Sequence, residues 1–359
     1  MGPGPADADA IVPGPRRATP LRVGALVVDP PVLLAPMAEV TDLAFRTICE
    51  EFGAGLTVTE FLSAHALCAG AEKTRRKLRP SAGGRPYGVQ LFGREAAPLV
   101  RAALLAADSG AALVDLNMGC PARKVVWDGK GQPDATCRGS GAALMLDPDL
   151  AVRLVAAVRA ALPAAIPLSV KLRSGWDERR KNAPELAPRL GAAGAALVTV
   201  HGRTRAQGFG GEVDLETIRQ VRAAVPAGIP VCGNGDVVDV ESFERMRTAT
   251  GCDAVMIGRG AIGNPWVFAA IRAHLRGQPP PAPPDRREKL RVLMRHLALC
   301  REHEPANVVW EARKLVCRYA RGEPGAARLR ARAMSMEAIE ALTDLACEFF
   351  AGNPKPRAD

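Results

Sequence analysis

The chain has 359 residues, is 48% hydrophobic and carries 48 Lys and Arg against 38 Asp and Glu, a formal net charge of +10. That is enough for a barrel-sized core plus a small second domain, and the positive balance favours polyanionic partners without proving one. Nine cysteines with no Cys-x-x-Cys pair, and five scattered histidines, exclude a disulfide scaffold and a zinc cluster by pattern, so reduced thiols and no metal are expected.

Met1 to Pro20 is rich in Gly, Pro, Ala and Asp and lacks the apolar core of a signal peptide. It reads as a disordered leader, residues 1–20. No apolar run is long enough for a bilayer, so a cytoplasmic protein without a membrane partner is expected. Over residues 21–276, eight short apolar runs recur: Val32–Ala35, Leu56–Thr59, Tyr87–Leu91, Ala112–Leu116, Pro167–Leu172, Ala196–Val200, Ile229–Cys232 and Ala254–Ile257. Their apolar character is nearly continuous, the pattern of strands buried on both faces. Amphipathic stretches separate them, such as Asp149–Leu162, opened by the helix-start signal Asp147-Pro148. This predicts an α/β fold, a (β/α)8 TIM barrel. A doubly wound open sheet is the alternative, weakened because no early strand leads into Gly-x-Gly-x-x-Gly. The proline-rich residues 277–284 read as a stiff linker. Residues 285–350 have helical periodicity and form a small C-terminal all-helical domain, with 351–359 as a tail. Arg286–Arg332 carries 13 Lys and Arg against 5 Asp and Glu.

The ends of the predicted strands carry the chemistry. Val114 to Pro121 runs from a buried strand into Asn117, Gly119, Cys120 and Pro121, the place where α/β barrels put reacting groups. A free cysteine is most often a small buried hydrophobe. Read functionally, Cys120 has no histidine near it in sequence, and a thiol with a pKa near the reference value of about 8.5 is mostly protonated at neutral pH. It suits a proton donor better than a nucleophile. Gly233-Asn234-Gly235-Asp236 and Gly258-Arg259-Gly260 follow the seventh and eighth strands, where barrels commonly cradle phosphate; two ordinary turns are the competing reading. Lys171 ends the fifth strand and needs an anion or a carboxylate partner. Gln90, His201 and the Ala35-Pro36-Met37-Ala38 turn lie at the same ends, with a cap, a structural histidine and a core methionine as their plainer readings. A phosphate cradle, a lysine and an amide facing a flat ring together suit flavin mononucleotide.

These residues bring a family into view. The chain resembles the tRNA-dihydrouridine synthases through Leu34-Ala35-Pro36-Met37-Ala38, Thr59-Glu60, Gln90-Leu91, Asp115-Leu116-Asn117-Met118-Gly119-Cys120-Pro121 and Gly139-Ser140-Gly141-Ala142. It continues through Val170 to Trp176, His201-Gly202-Arg203-Thr204, Gly233 to Asp236 and Met256 to Gly260. The resemblance implies reduction of the C5–C6 double bond of a D-loop uridine in tRNA, with FMN as cofactor and NADPH as reductant. Hydride would go to C6 and a proton from Cys120 to C5. It implies that Pro36, Met37, Ala38, Gln90, Lys171, His201, Asn234, Gly235, Asp236, Gly258 and Arg259 hold FMN. Asn117 and Arg173 would face the base, Arg313 and Lys314 would contact tRNA, and a monomer is expected. Residues 126–138 form an insertion relative to the family segment, expected to be a mobile loop next to Cys120. A metabolite reductase on the same barrel, a non-catalytic RNA-binding barrel and a Lys171 aldolase are the rival readings.

Overall fold

The computed structural model describes residues 19–81, 83–127 and 139–352. Most of the leader, residues 128–138 of the insertion and residues 353–359 of the tail lie outside the described residues. A hairpin comes first, β1 (Leu21–Val23) against β2 (Leu26–Val28), with Leu21 opposite Val28. Nine further strands follow: β3 (Val32–Leu34), β4 (Leu56–Val58), β5 (Leu62–Ser63), β6 (Tyr87–Phe92), β7 (Leu113–Met118), β8 (Leu168–Arg173), β9 (Leu197–His201), β10 (Val231–Asn234) and β11 (Ala254–Ile257). All pair in parallel; β4 bonds to both β3 and β6, β11 returns to β3, and the ring closes on eight strands with β5 extending the far end of β6. The expected TIM barrel is therefore present.

Helices cover the outside. They are α1 (Leu43–Glu51), α2 (Ala64–Cys68), α3 (Glu72–Arg76), α4 (Ala96–Asp108), α5 (Arg123–Val126), α6 (Pro148–Ala161), α7 (Ala183–Ala192), α8 (Leu215–Ala224), α9 (Val240–Thr250) and α10 (Trp266–Leu275). Their starts are written in the sequence. Asp147 caps α6 by accepting from Leu150 N with Pro148 in the first turn, and Asp239 with Ser242 forms a reciprocal box at α9. Each such cap stabilises by about 1 kcal/mol.

Side chains alternate along each strand. On β3, Val32 and Leu34 face the helices while Leu33 points inward. The lower interior holds Leu33, Leu56, Leu113, Leu197, Cys232 and Met256, sealed by Leu21, Val23 and Val28 of the hairpin. Two residues further along β7 and β9, the inward positions become polar: Asp115, then Asn117; Thr199, then His201. The barrel is thus apolar at its base and polar at its mouth.

The second domain is helical throughout: α11 (Arg286–His303), α12 (Val308–Tyr319), α13 (Ala326–Met334) and α14 (Ile339–Ala351). Its core, including Leu293, Val316, Leu342 and Phe350, is continuous with Ala44 and Ile48 of α1. Phe45 stacks on His296 with ring centres 5.7 Å apart, and Trp266 meets Tyr319 edge-on at 6.0 Å. Such contacts add about 0.5–1.5 kcal/mol each beyond area burial. Burial pushes His296 down to about 3, so it stays neutral in this seam. Among the described residues, no helix is long and apolar enough to cross a membrane.

Candidate active site

The barrel mouth begins where the apolar runs stop but strand pairing continues. β8 extends past Lys171 to Arg173, β9 includes His201, and β10 includes Asn234. Lys171 therefore lies inside its strand rather than at its end. Polar residues are held at these strand ends because Gln90, Asp115, Asn117 and Ser169 bond one another while Arg173 and Asn234 donate to backbone carbonyls.

Asp115 anchors this network. Its carboxylate accepts from Ser169 Oγ on one side and from Gln90 Nε2 at 2.5 Å on the other. Gln90 Oε1 accepts from Asn117 Nδ2 at 2.8 Å. Asn117 Oδ1 then accepts from the backbone N–H of Gly119 at 3.1 Å and of Cys120 at 2.9 Å. The relay spans three strands and ends on the candidate acid. Burial raises Asp115 to about 6, against the opposing pull of its two hydrogen bonds and the Lys171 charge. Gln90, read from sequence as a contact for a flat ring, also holds Asn117. Neither Asp115 nor Ser169 was singled out in sequence, because the partners sit 25 and 54 residues away.

Cys120 sits just beyond β7. Gly119 packs against β8, where an added Cβ would come within 3.1 Å of the Leu172 carbonyl carbon. Its carbonyl accepts from Arg173 Nε at 2.8 Å, and the same guanidinium reaches the carbonyls of Thr204 and Gly208 at 2.8 and 2.7 Å. Burial raises the Cys120 thiol above its ordinary value, and the backbone N–H of Ala122, then Arg173, Lys124 and Lys171, offset this only in part. The thiol is held protonated at neutral pH.

The opposite side of the mouth is a glycine cradle. A Cβ on Gly235 would meet Val213 Cγ2 at 2.6 Å, and one on Gly260 would meet the Val237 carbonyl oxygen at 2.1 Å. Asn234 Nδ2 donates to the Met256 carbonyl at 2.8 Å, tying β10 to β11. Asp236 accepts from Arg203 Nη1 at 2.9 Å and from Arg259 Nη2 at 3.0 Å, so its carboxylate braces the cradle arginine. His201, 8% exposed, is pushed down to about 2 by burial and then by Lys171, Arg173, Arg203 and Arg259, which fixes it as a neutral imidazole. Lys171 has no hydrogen bond or ion pair among the described residues. Burial foremost, then Arg173, lowers it to about 8.

One cleft of about 1380 Å³ joins these groups. Pro36, Met37, Ala38, Gln90, Asn117, Cys120, Lys171, Arg173, His201, Asn234, Gly235, Asp236, Gly258 and Arg259 all line it. Arg313 and Lys314 do not: Arg313 donates to the Met336 carbonyl at 2.7 Å, and Lys314 pairs with Glu311 at 2.7 Å. Phe209 was missed in sequence. It is 60% exposed in the cleft, with Arg173 and Arg259 guanidinium carbons 5.5 and 5.1 Å from its ring centre.

A closed β/α barrel with a protonated thiol, a lysine and two glycine turns facing one cleft has the layout of an enzyme working at the C-terminal mouth of its strands. The family model for dihydrouridine synthase matches residues 33–350. The chain belongs to that family, and so to the oxidoreductases acting on CH–CH bonds. It is 42% identical over 321 residues to a Rhodobacter capsulatus protein named "Probable tRNA-dihydrouridine synthase", covering 88% of this chain and 93% of that one. It is 37% identical over 343 residues to tRNA-dihydrouridine synthase B of Xanthomonas campestris pv. campestris, covering 94% and 98%. Among solved structures, morphinone reductase aligns with a TM-score of 0.53 at 16% identity over 76% of this chain and 92% of its own, a likeness of fold.

Proposed function

We propose that the chain is a tRNA-dihydrouridine synthase that reduces the C5–C6 double bond of a D-loop uridine, with FMN as cofactor and NADPH as reductant. The observation that carries the reading is a thiol held protonated by burial and fixed by Asn117 across the cleft from the glycine cradle. The cradle suits a flavin nucleotide. Gly235, Gly258 and Gly260 line the cleft, Arg259 is braced by Asp236, and Lys171 offers a charge with no ion-pair partner among the described residues. Pro36, Met37, Ala38, Gln90, Lys171, His201, Asn234, Gly235, Gly258 and Arg259 would hold the cofactor, with Asp236 behind Arg259. When bound, FMN would carry hydride from NADPH to C6 of the uracil.

The remaining work falls to the protein. Asn117 sets the position of Cys120, which delivers its proton to C5 and so completes the saturated ring. The resulting thiolate is stabilised by Arg173, Lys124 and Lys171 until it takes a proton back from solvent. Neutral His201 can offer a hydrogen bond without adding charge. Turning a uridine out of folded tRNA costs a few kcal/mol, which phosphate contacts must offset. Arg313 and Lys314 would act here as outer contacts beyond the cleft. Such a substrate puts the enzyme in the cytoplasm, and a monomer suffices for the whole site.

The purified protein should show a flavin spectrum and should convert uridine to dihydrouridine in unmodified tRNA with NADPH. Cys120→Ala should cut the conversion by about 10²–10⁴-fold while keeping the flavin. A colourless protein, or flavin without dihydrouridine on any tRNA, would defeat the reading.

A further inference from the structure

The cleft is larger than a cofactor and one base require. Small-molecule sites are usually about 300–1,000 Å³, whereas this one measures about 1380 Å³ and runs from the barrel mouth onto the helical domain. The helical domain contributes three cationic side chains to it: Lys289, Arg318 and Arg321. Lys289 is neutralised by Glu323 at 2.5 Å, a carboxylate it shares with Arg286. Arg318 and Arg321 have no side-chain hydrogen bond or ion pair among the described residues.

The two arginines lie one turn apart where α12 ends, Arg321 N donating to the Arg318 carbonyl at 3.2 Å. Their backbone is fixed against the barrel. Gly263 has φ +72°, and a Cβ there would lie 2.5 Å from the Arg318 carbonyl oxygen. Gly263 closely follows Arg259-Gly260, so the cradle and the arginine pair sit on one rigid seam. Two neighbouring guanidiniums that face the cleft without a carboxylate keep their donors free for an anion.

We propose that Arg318 and Arg321 form a phosphodiester-binding subsite on the helical-domain wall of the cleft. It takes the RNA backbone beside the uridine that enters the barrel. The inference rests on the RNA reading above and adds the residues that grip the strand. It differs from the sequence expectation, which pointed to Arg313 and Lys314 earlier on α12.

The test uses the full-length, FMN-loaded enzyme and an unmodified tRNA transcript, with binding followed by fluorescence anisotropy over a salt series. Arg318→Ala with Arg321→Ala should weaken binding about tenfold and flatten the log–log salt slope by roughly 1.4–1.8, the loss of two phosphate contacts. The rate of flavin reduction by NADPH should stay at the wild-type value. Arg318→Lys with Arg321→Lys should keep the wild-type slope, because charge is retained. Binding within about twofold of wild type at an unchanged slope would overturn the subsite. Equal losses in the alanine and lysine pairs with a lowered Tm would also overturn it, showing a packing role. A raised KM for NADPH with tRNA binding intact would give the site to the dinucleotide's phosphates instead. Wild-type protein that makes no dihydrouridine would sink the RNA reading first, so the two failures separate.

Discussion

The barrel mouth and the helical domain are both rich in cations, and they differ most in how deeply those cations are buried. In the mouth, Lys171 stands without a partner and is lowered to about 8, while Arg173, lowered to about 10 by burial, spends its donors on three backbone carbonyls. In the helical domain, Arg291 pairs with Glu288, Arg295 with Glu51, Arg301 with Glu340, and Arg332 with Glu348. Surface pairs of this kind stabilise by about 0–1 kcal/mol, whereas a buried unmatched charge is strongly perturbed. Charge counted along a sequence is therefore a poor map of charge available to a ligand. About half of the cations in Arg286–Arg332 are paired with carboxylates, and of the rest only Arg318 and Arg321 line the cleft.

The largest effect expected from breaking this contrast is at the thiol. Cys120→Ala should lower dihydrouridine formation by about 10²–10⁴-fold, the usual weight of a general acid, while tRNA binding and bound flavin persist. Activity near wild type would put the acid elsewhere. Next comes the carboxylate beneath it. Asp115→Leu leaves the donors of Gln90 and Ser169 unmatched in a buried site and should destabilise by about 2–4 kcal/mol. A denaturant titration measures this, and Asp115→Asn should cost less.

The charge in the mouth gives a pH signature. Lys171 is held below its ordinary 10.5 at about 8, so between these values the unfolded chain binds a proton that the folded chain does not. Unfolding free energy should therefore rise with pH across that window in flavin-free protein. At pH 7 the folded state bears the full penalty, so Lys171→Met should be more stable there, by on the order of 2 kcal/mol. It should also lose the rise above pH 8. Stability curves of the two proteins that run parallel from pH 7 to 10.5 would exclude a penalised lysine. The smallest effect should come from the helical surface. Lys314→Ala removes only an ion pair with Glu311 and a contact over Trp310, and should change stability by less than about 1 kcal/mol.

The barrel was legible because all eight of its strands read as apolar runs, and the cradle because its glycines follow the last two of them. The N-terminal hairpin was not, since Leu21 to Val28 is short and its partner surface is the barrel base, assembled from strands spread along the chain. Nor was the polar relay. Asp115 in isolation is a carboxylate inside an apolar run, and only closure of the sheet brings Gln90 and Ser169 to it. Phe209 is a lone aromatic in a glycine-rich loop, and nothing local says that two arginines flank it. Arg318 and Arg321 look like any other pair in a basic stretch until the cleft they line is located.

The relay from Ser169 through Asp115 and Gln90 to Asn117 also bears on how this enzyme can drift. Each group is matched by a neighbour on an adjacent strand, so replacing one side chain leaves another without its partner. An intermediate on such a path lacks about 1–3 kcal/mol for each unmatched group, within a total stability of about 5–15 kcal/mol. One such step is survivable; a walk of several is not. Innovation in this mouth should therefore arrive first through the loops, such as the one bearing Phe209, while the strand positions change together or not at all.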